Sequence, residues 1–306
     1  MVDSVHSGDP WDEPSGEPGD SPHHKDAYHS DYGRVSKTML GHFLKSRSDF
    51  YRYYVAKTQS PPRPKRVMQV GSAIHAILLE RVPIEKAVKV YPASCLNSAG
   101  SLNPKPAAKF REDHPDAFIM KDADYDLVAA SCDAVMKHGL GKLIEHPDAV
   151  FEVPQVWTCK ASGLPCRMMA DWFIELDDRV LVYDLKTTED IYPTGVQRTC
   201  KLMKYWLQDS HYSAGLRSVF GKPVMFKFWF VEIGDPHRIA PYEYDQRSRE
   251  IGSSSHEKTM QSLANCYATG DWRDEWEMTT GQLVINPWEV DVDTENEEVA
   301  YVGDED

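Results

Sequence analysis

With 306 residues, the chain has room for one large domain or two small ones. Hydrophobic residues at 41% and aromatics at 11% supply a core and exclude wholesale disorder. There is no run of 18 apolar residues and no apolar signal core before Ser30, so neither a membrane span nor a secretory signal is expected. The formal charge of −14 is unevenly placed: residues 1–30 carry seven acids and one base, residues 289–306 nine acids and no base, leaving +1 for residues 31–288. Six cysteines without a C-x-x-C pair fit neither a disulfide framework nor a zinc or iron–sulfur site, and read as reduced thiols of a cytoplasmic protein.

In chain order, residues 1–33 read as a disordered acidic arm, rich in Ser, Gly, Pro and Asp. His23, His24 and His29 lie there, in what is read as a solvated tail. Residues 34–288 read as a single folded domain and residues 289–306 as a disordered acidic tail. From 34 to 148 the pattern is helical. Ser36 is a candidate N-cap for the run Met39-Leu40-Phe43-Leu44, Gln69–Glu80 repeats apolar residues, and Asp122–Lys137 carries an apolar stripe. From Lys45 to Arg66 seven basic residues, among them Arg63, Lys65 and Arg66, stand against the single acid Asp49 and interleave with Tyr51, Tyr53 and Tyr54. This is either a phosphate-tracking, base-stacking surface or a solvated helix and loop.

Between 149 and 270 the period changes. Phe151–Thr158, Arg167–Leu176 and Val180–Lys186 read as a three-strand meander. A helical region at about Thr194–Phe220, strands at Val224–Ile233 and Ile239–Tyr244, and a helix at Gln246–Thr269 follow. The fold class expected is α/β: a mixed β-sheet core flanked by helices, with a helical N-terminal portion.

Two of these strands carry the chemistry. Met168-Met169-Ala170-Asp171-Trp172-Phe173-Ile174 and Val180-Leu181-Val182-Tyr183-Asp184-Leu185-Lys186 are nearly continuous apolar runs, the pattern of strands buried on both faces. Each is interrupted by a carboxylate, the second also by a lysine. A two-residue turn at Asp177-Asp178 places Asp171 directly opposite Asp184, where like charges repel, and Lys186 shares the face of Asp184. Two converging carboxylates with a lysine beside them suit a hard divalent cation, Mg²⁺ or Mn²⁺ rather than zinc. A structural ion pair of Lys186 with either aspartate is the alternative.

Asp171 and, thirteen residues on, Asp184-Leu185-Lys186-Thr187-Thr188 resemble the D…(D/E)xK signature of the PD-(D/E)xK nuclease superfamily, and the fuller pattern is similar to its RecB-type branch, notably the RecE-like (exonuclease VIII-like) exonucleases. Gly71-Ser72-Ala73-Ile74-His75-Ala76 resembles that branch's histidine-bearing helix. The run Gly163–Asp171 resembles its G…(K/R)…D strand, Gln208–Tyr212 its QxxxY helix, and Val35–Leu40 up to Tyr51 its opening. Ala170 stands where the proline that names the superfamily would be, and the four-cysteine cluster of some relatives is absent from the sequence. The likeness spans about residues 34–270.

The resemblance implies a restriction-endonuclease-like core that hydrolyses phosphodiester bonds of linear double-stranded DNA with Mg²⁺ or Mn²⁺, in recombination, repair or a phage. It implies His75, Asp171 and Asp184 as metal ligands and Lys186 as the group that positions the attacking water. Gln208 and Tyr212 would support the site or touch DNA; Glu152 is a possible extra acid. Read alone, His75 is more often a core histidine and Glu152 more often a surface residue, while Tyr212 is equally a packing aromatic. The partners implied are DNA, a single-strand annealing recombinase and further copies of the chain in a ring. A non-catalytic nucleic-acid-binding protein on a decayed nuclease fold and a structure-specific endonuclease are the rival readings.

Overall fold

The computed structural model describes residues 28, 31–62 and 69–280. Most of the N-terminal arm, the whole acidic tail and the basic residues Arg63, Lys65 and Arg66 lie outside the described residues.

The chain opens with α1 (Lys37–Phe43), whose N-cap Ser36 accepts a hydrogen bond from the Met39 N–H, and α2 (Arg47–Phe50), capped by Ser46. A π-helical turn at Tyr51–Val55 follows. Then come α3 (Gln69–Leu78), α4 (Ile84–Ala87), β1 (Val88–Val90), α5 (Pro104–Asp113), β2 (Phe118–Met120), α6 (Asp122–Lys137) and α7 (Gly139–Ile144). Strands β3 (Ala149–Phe151), β4 (Pro154–Thr158), β5 (Pro165–Met169), β6 (Trp172–Glu175) and β7 (Val180–Thr188) precede α8 (Pro193–Leu202) and α9 (Tyr205–Phe220). The described chain ends through β8 (Val224–Glu232), β9 (Ile239–Tyr242), α10 (Gln246–Thr269) and a 3₁₀ turn at Glu275–Met278.

A five-stranded sheet in the order β3-β6-β7-β8-β9 forms the centre. Its strands pair antiparallel except β7 with β8, which run parallel because α8 and α9 form the crossover between them. The fold class is therefore the expected mixed α/β. Strand β7 pairs on both edges and is covered on both faces, which its unbroken apolar run requires. On one face Trp172, Ile174, Tyr183, Leu185, Trp229 and Val231 pack against α3, α6 and α7. On the other, Phe173, Val182, Phe226, Phe228 and Phe230 meet Val196 of α8 and Tyr205 and Leu216 of α9. A third cluster joins α1, Phe50 and Tyr54 to Leu207 of α9, Met260 and Leu263 of α10, and Cys159 and Cys166.

The meander departs from expectation. Phe151–Thr158 and Arg167–Leu176 are each divided: β4 and β5 pair with each other in a separate two-stranded ribbon, while β3 and β6 join the main sheet. The first break is at Glu152, whose φ of +45° is in the left-handed region disfavoured for side-chain-bearing residues. The second is at Ala170-Asp171. The N-terminal part is not purely helical either: β1 and β2 form a small parallel pair, each strand three residues long. The single helical region expected at Thr194–Phe220 is two helices, interrupted at Lys204, which has φ +51°. Among the described residues no helix is long and apolar enough to cross a membrane.

Candidate active site

The hairpin β6–β7 fixes the register. Leu176 donates its N–H to the Arg179 carbonyl at 2.8 Å, so Asp177-Asp178 form a two-residue turn. The ladder then runs Glu175↔Val180 to Trp172↔Tyr183. The ladder stops there, one step short of the Asp171–Asp184 opposition expected from the sequence. Asp171 is not in the strand. Its backbone has bent away, and its carboxylate Oδ2 instead accepts the Leu185 N–H at 2.7 Å, satisfying a donor of the central strand that β6 no longer reaches.

Asp184, 1% exposed, alternates with Tyr183 and Leu185 and so projects toward α8 and α9. One carboxylate oxygen is ion-paired with the Lys186 ammonium, two residues on and on the same face. The other accepts from the side-chain amide of Gln208 on α9. Tyr205, at the start of α9, holds its ring 4.9 Å below the Lys186 nitrogen, a cation–π contact. On the opposite side His75, on α3, places Nε2 2.9 Å from Asp171 Oδ2 and 3.3 Å from the Leu185 carbonyl. Glu152 follows: its Oε1 lies 4.0 Å from His75 Nδ1, and its N–H donates to the Asp171 carbonyl at 3.2 Å.

The structure thus brings together five residues marked in the sequence, Asp171, Asp184, Lys186, His75 and Gln208, with Glu152 at the rim. Tyr212, one turn beyond Gln208, packs a half-buried ring 6.2 Å from Phe226, the packing alternative. Of the aromatics proposed for stacking on nucleic acid, Tyr54 is instead a core residue, its hydroxyl 2.6 Å from His42 Nδ1. Arg198 is paired with Asp190 at 3.2 Å. Two participants carried no signal in the sequence. Tyr205 reads as an ordinary helical aromatic. Lys37 on α1 holds its nitrogen 5.8 Å from the same Tyr205 ring and 3.5 Å from the Met203 carbonyl. Burial and the neighbouring Lys186 charge lower its pKa to about 8, partly offset by Asp184.

The electrostatics separate the two aspartates. Burial, and then the charge of Asp171, raise the Asp184 carboxyl to about 6 despite Lys186. Asp171 is also pushed up by burial, but His75, Lys186 and the Leu185 N–H outweigh this and hold it below the ordinary carboxylate value. Burial pulls His75 down; Asp171 and Asp184 overcome it and raise His75 to about 9. Lys186 is raised above its usual value because both aspartates outweigh its burial.

Among the described residues no three His, Cys, Asp or Glu side chains stand at metal-ligand spacing, and the two aspartates are occupied by Lys186 and His75. The donor set nevertheless fits a hard divalent cation. The charge of Asp171 adds to burial in raising Asp184, and an imidazole and a further carboxylate adjoin. His75 must release its proton before it can serve as a ligand.

No curated protein matches the sequence. Among solved structures, an Eubacterium rectale protein bearing the name "putative exonuclease" superposes with a TM-score of 0.56 at 11% identity, covering 87% of this chain and 96% of that one. A second, SSO0001, shares 14% identity over 67% of this chain and 85% of its own, with a TM-score of 0.29. Only the first superposes closely enough to show a shared fold. The family model described as "PDDEXK-like domain of unknown function (DUF3799)" matches residues 36–282, which contain every site residue above. The chain belongs to this PDDEXK-like family.

Proposed function

We propose that the protein is a metal-dependent exodeoxyribonuclease of RecE-like type, using Mg²⁺ or Mn²⁺ to hydrolyse phosphodiester bonds of linear duplex DNA in the cytoplasm. The observation that carries this reading is the buried Asp184, ion-paired with Lys186 and under the charge of Asp171, whose carboxylate accepts the next N–H of the same strand, on a PDDEXK-like fold. Each aspartate has a base of its own, Lys186 for Asp184 and His75 for the half-buried Asp171, yet the charge of Asp171 still acts on Asp184, and a shared cation would relieve that repulsion. The RecE-like resemblance of the motifs and the name borne by the Eubacterium rectale protein support the exonuclease form of the activity.

Asp171, Asp184 and His75 would hold the ion, with Glu152 beside them. The ion supplies Lewis acidity at the anionic phosphate, whose charge otherwise repels a nucleophile. Lys186, its side chain partly buried and its ammonium anchored by Asp184 and Tyr205, orients the attacking water and adds positive charge where the phosphate gains negative charge. Gln208 fixes the carboxylate plane of Asp184, and the Leu185 N–H and His75 fix that of Asp171. A single-strand annealing recombinase and a ring of identical chains belong to the same reading as partners.

The test is degradation of linear and covalently closed circular duplex DNA by the purified protein, with Mg²⁺, Mn²⁺ or EDTA. The proposal expects loss of the linear form alone, and only with metal. Cutting of closed circles would identify an endonuclease instead. Metal-independent DNA binding without turnover would identify a binding protein on a decayed nuclease fold.

A further inference from the structure

Lys37 and Lys186 come from opposite ends of the fold, one from the first helix and one from the central strand, yet both ammonium groups sit against the single ring of Tyr205, at 5.8 and 4.9 Å. Lys186 is neutralised by Asp184. Lys37 is not: among the described residues no carboxylate forms an ion pair with it, and its hydrogen-bond acceptor is the Met203 carbonyl at 3.5 Å. Because Lys186 is already paired, the ammonium placed to take an incoming anion is that of Lys37, half-buried against the same ring and hydrogen-bonded to a carbonyl. The site is held in place from both sides. Ser36 caps α1 through the Met39 N–H at 3.4 Å, and Val35 is tied to the ribbon by its N–H to the Pro165 carbonyl at 2.8 Å, so Lys37 projects from an anchored backbone.

We propose that Lys37 is a second phosphate-binding ammonium of the active site, contacting a backbone phosphate of the DNA strand while Lys186 serves the scissile one. This rests on the nuclease reading above and extends it to a residue outside the D…DxK motif. A solvated lysine would leave DNA affinity and its salt dependence unchanged, whereas a phosphate contact releases counterions. Each duplex phosphate neutralised contributes about 0.9 to the slope of log affinity against log salt.

The experiment compares wild type, Lys37→Met and Lys37→Arg in two measurements. The first is binding to a duplex oligonucleotide with Ca²⁺ replacing Mg²⁺, across a salt series. The second is kcat/KM on linear duplex DNA with Mg²⁺. The inference expects Lys37→Met to reduce the salt slope by about 0.9. It expects kcat/KM to fall by about tenfold to a hundredfold, with Lys37→Arg restoring most of both. Unchanged thermal unfolding of Lys37→Met excludes a folding defect; if that variant is unstable, Lys37→Gln replaces it. A slope within about 0.3 of wild type together with kcat/KM within twofold would overturn the inference. A wild type that binds DNA but never cleaves it would sink the nuclease reading while the slope still decides on Lys37, and a wild type without DNA affinity would sink both.

Discussion

Asp184 is where the largest number of constraints meet, and changing it separates structure from chemistry. Asp184→Asn keeps the size and the Gln208 contact but removes the charge that Lys186 and a cation require. The variant should fold and lose nuclease activity to background in a linear-DNA assay. The Gln208 side-chain amide hydrogen-bonds the carboxylate, so Gln208→Ala should lower activity by about tenfold to a hundredfold, the usual cost of losing a partner that orients a metal-binding carboxylate. A different pair governs acid stability. His211 Nδ1 lies 3.0 Å from His256 Nε2, and His211 Nε2 lies 3.1 Å from the Arg167 carbonyl. Burial, with the charge of His256, lowers His211 to about 3, and burial with the charge of Arg217 lowers His256 to about 4, both from 6.5. The unfolded chain therefore binds more protons below pH 6.5, and stability contributed by the neutral pair is lost as pH falls from there toward 4. Asp209, raised to about 6 chiefly by burial, acts with the opposite sign over part of that window, so the comparison must be with a variant. The melting temperature of His256→Gln should depend less steeply on pH between 6.5 and 4 than that of wild type. Asp171, Asp184 and Lys186 were legible in sequence because strand alternation and a two-residue turn convert spacing into register, whereas His75 and Gln208, on helices, were marked only by the resemblance of their motifs. Lys37 and Tyr205 were not, because their meeting is made by a helix and a crossover far apart in the chain.

The elements most readable in sequence are those whose pattern is local. Asp122–Lys137 and Gln246–Thr269 are helices with the predicted bounds, and the latter starts at Asp245, which accepts the Ser248 N–H at 2.8 Å. The strands were less readable, because one apolar run serves two sheets. Nothing in the run from Met168 to Ile174 states that the chain changes partner at Ala170-Asp171; the change follows from the Asp171 carboxylate taking the Leu185 N–H. Nor does Glu152 advertise a positive φ. Helix α3 is positioned by close approach to β7: a Cβ on Gly71 would stand 2.7 Å from Thr187 Oγ1. Gly71→Val should force α3 away from the strand, destabilise the protein by about 1–3 kcal/mol and weaken the His75–Asp171 contact. Urea unfolding measures the first effect. The second is read as a loss of activity larger than the loss of folded protein.

For the molecule as a whole, charge patterning had the most to say about its ends and the least about its site. The acidity that dominates the net charge belongs to the termini, and the folded part is nearly neutral. The basic face from Lys45 to Arg66 is only partly assembled among the described residues: Arg52 pairs with Asp49 at 3.2 Å, and Tyr54 is buried. Cation density instead concentrates at Lys37 and Lys186, where a polyanion would have to arrive for hydrolysis. The account stands on two aspartates sharing a divalent ion, and isothermal titration of Mn²⁺ or Mg²⁺ into wild type and Asp184→Asn tests this most directly. Uptake by the wild type, accompanied by proton release from His75 and lost in the variant, is the result predicted. Equal heats from both proteins, or none from either at millimolar metal, would contradict it.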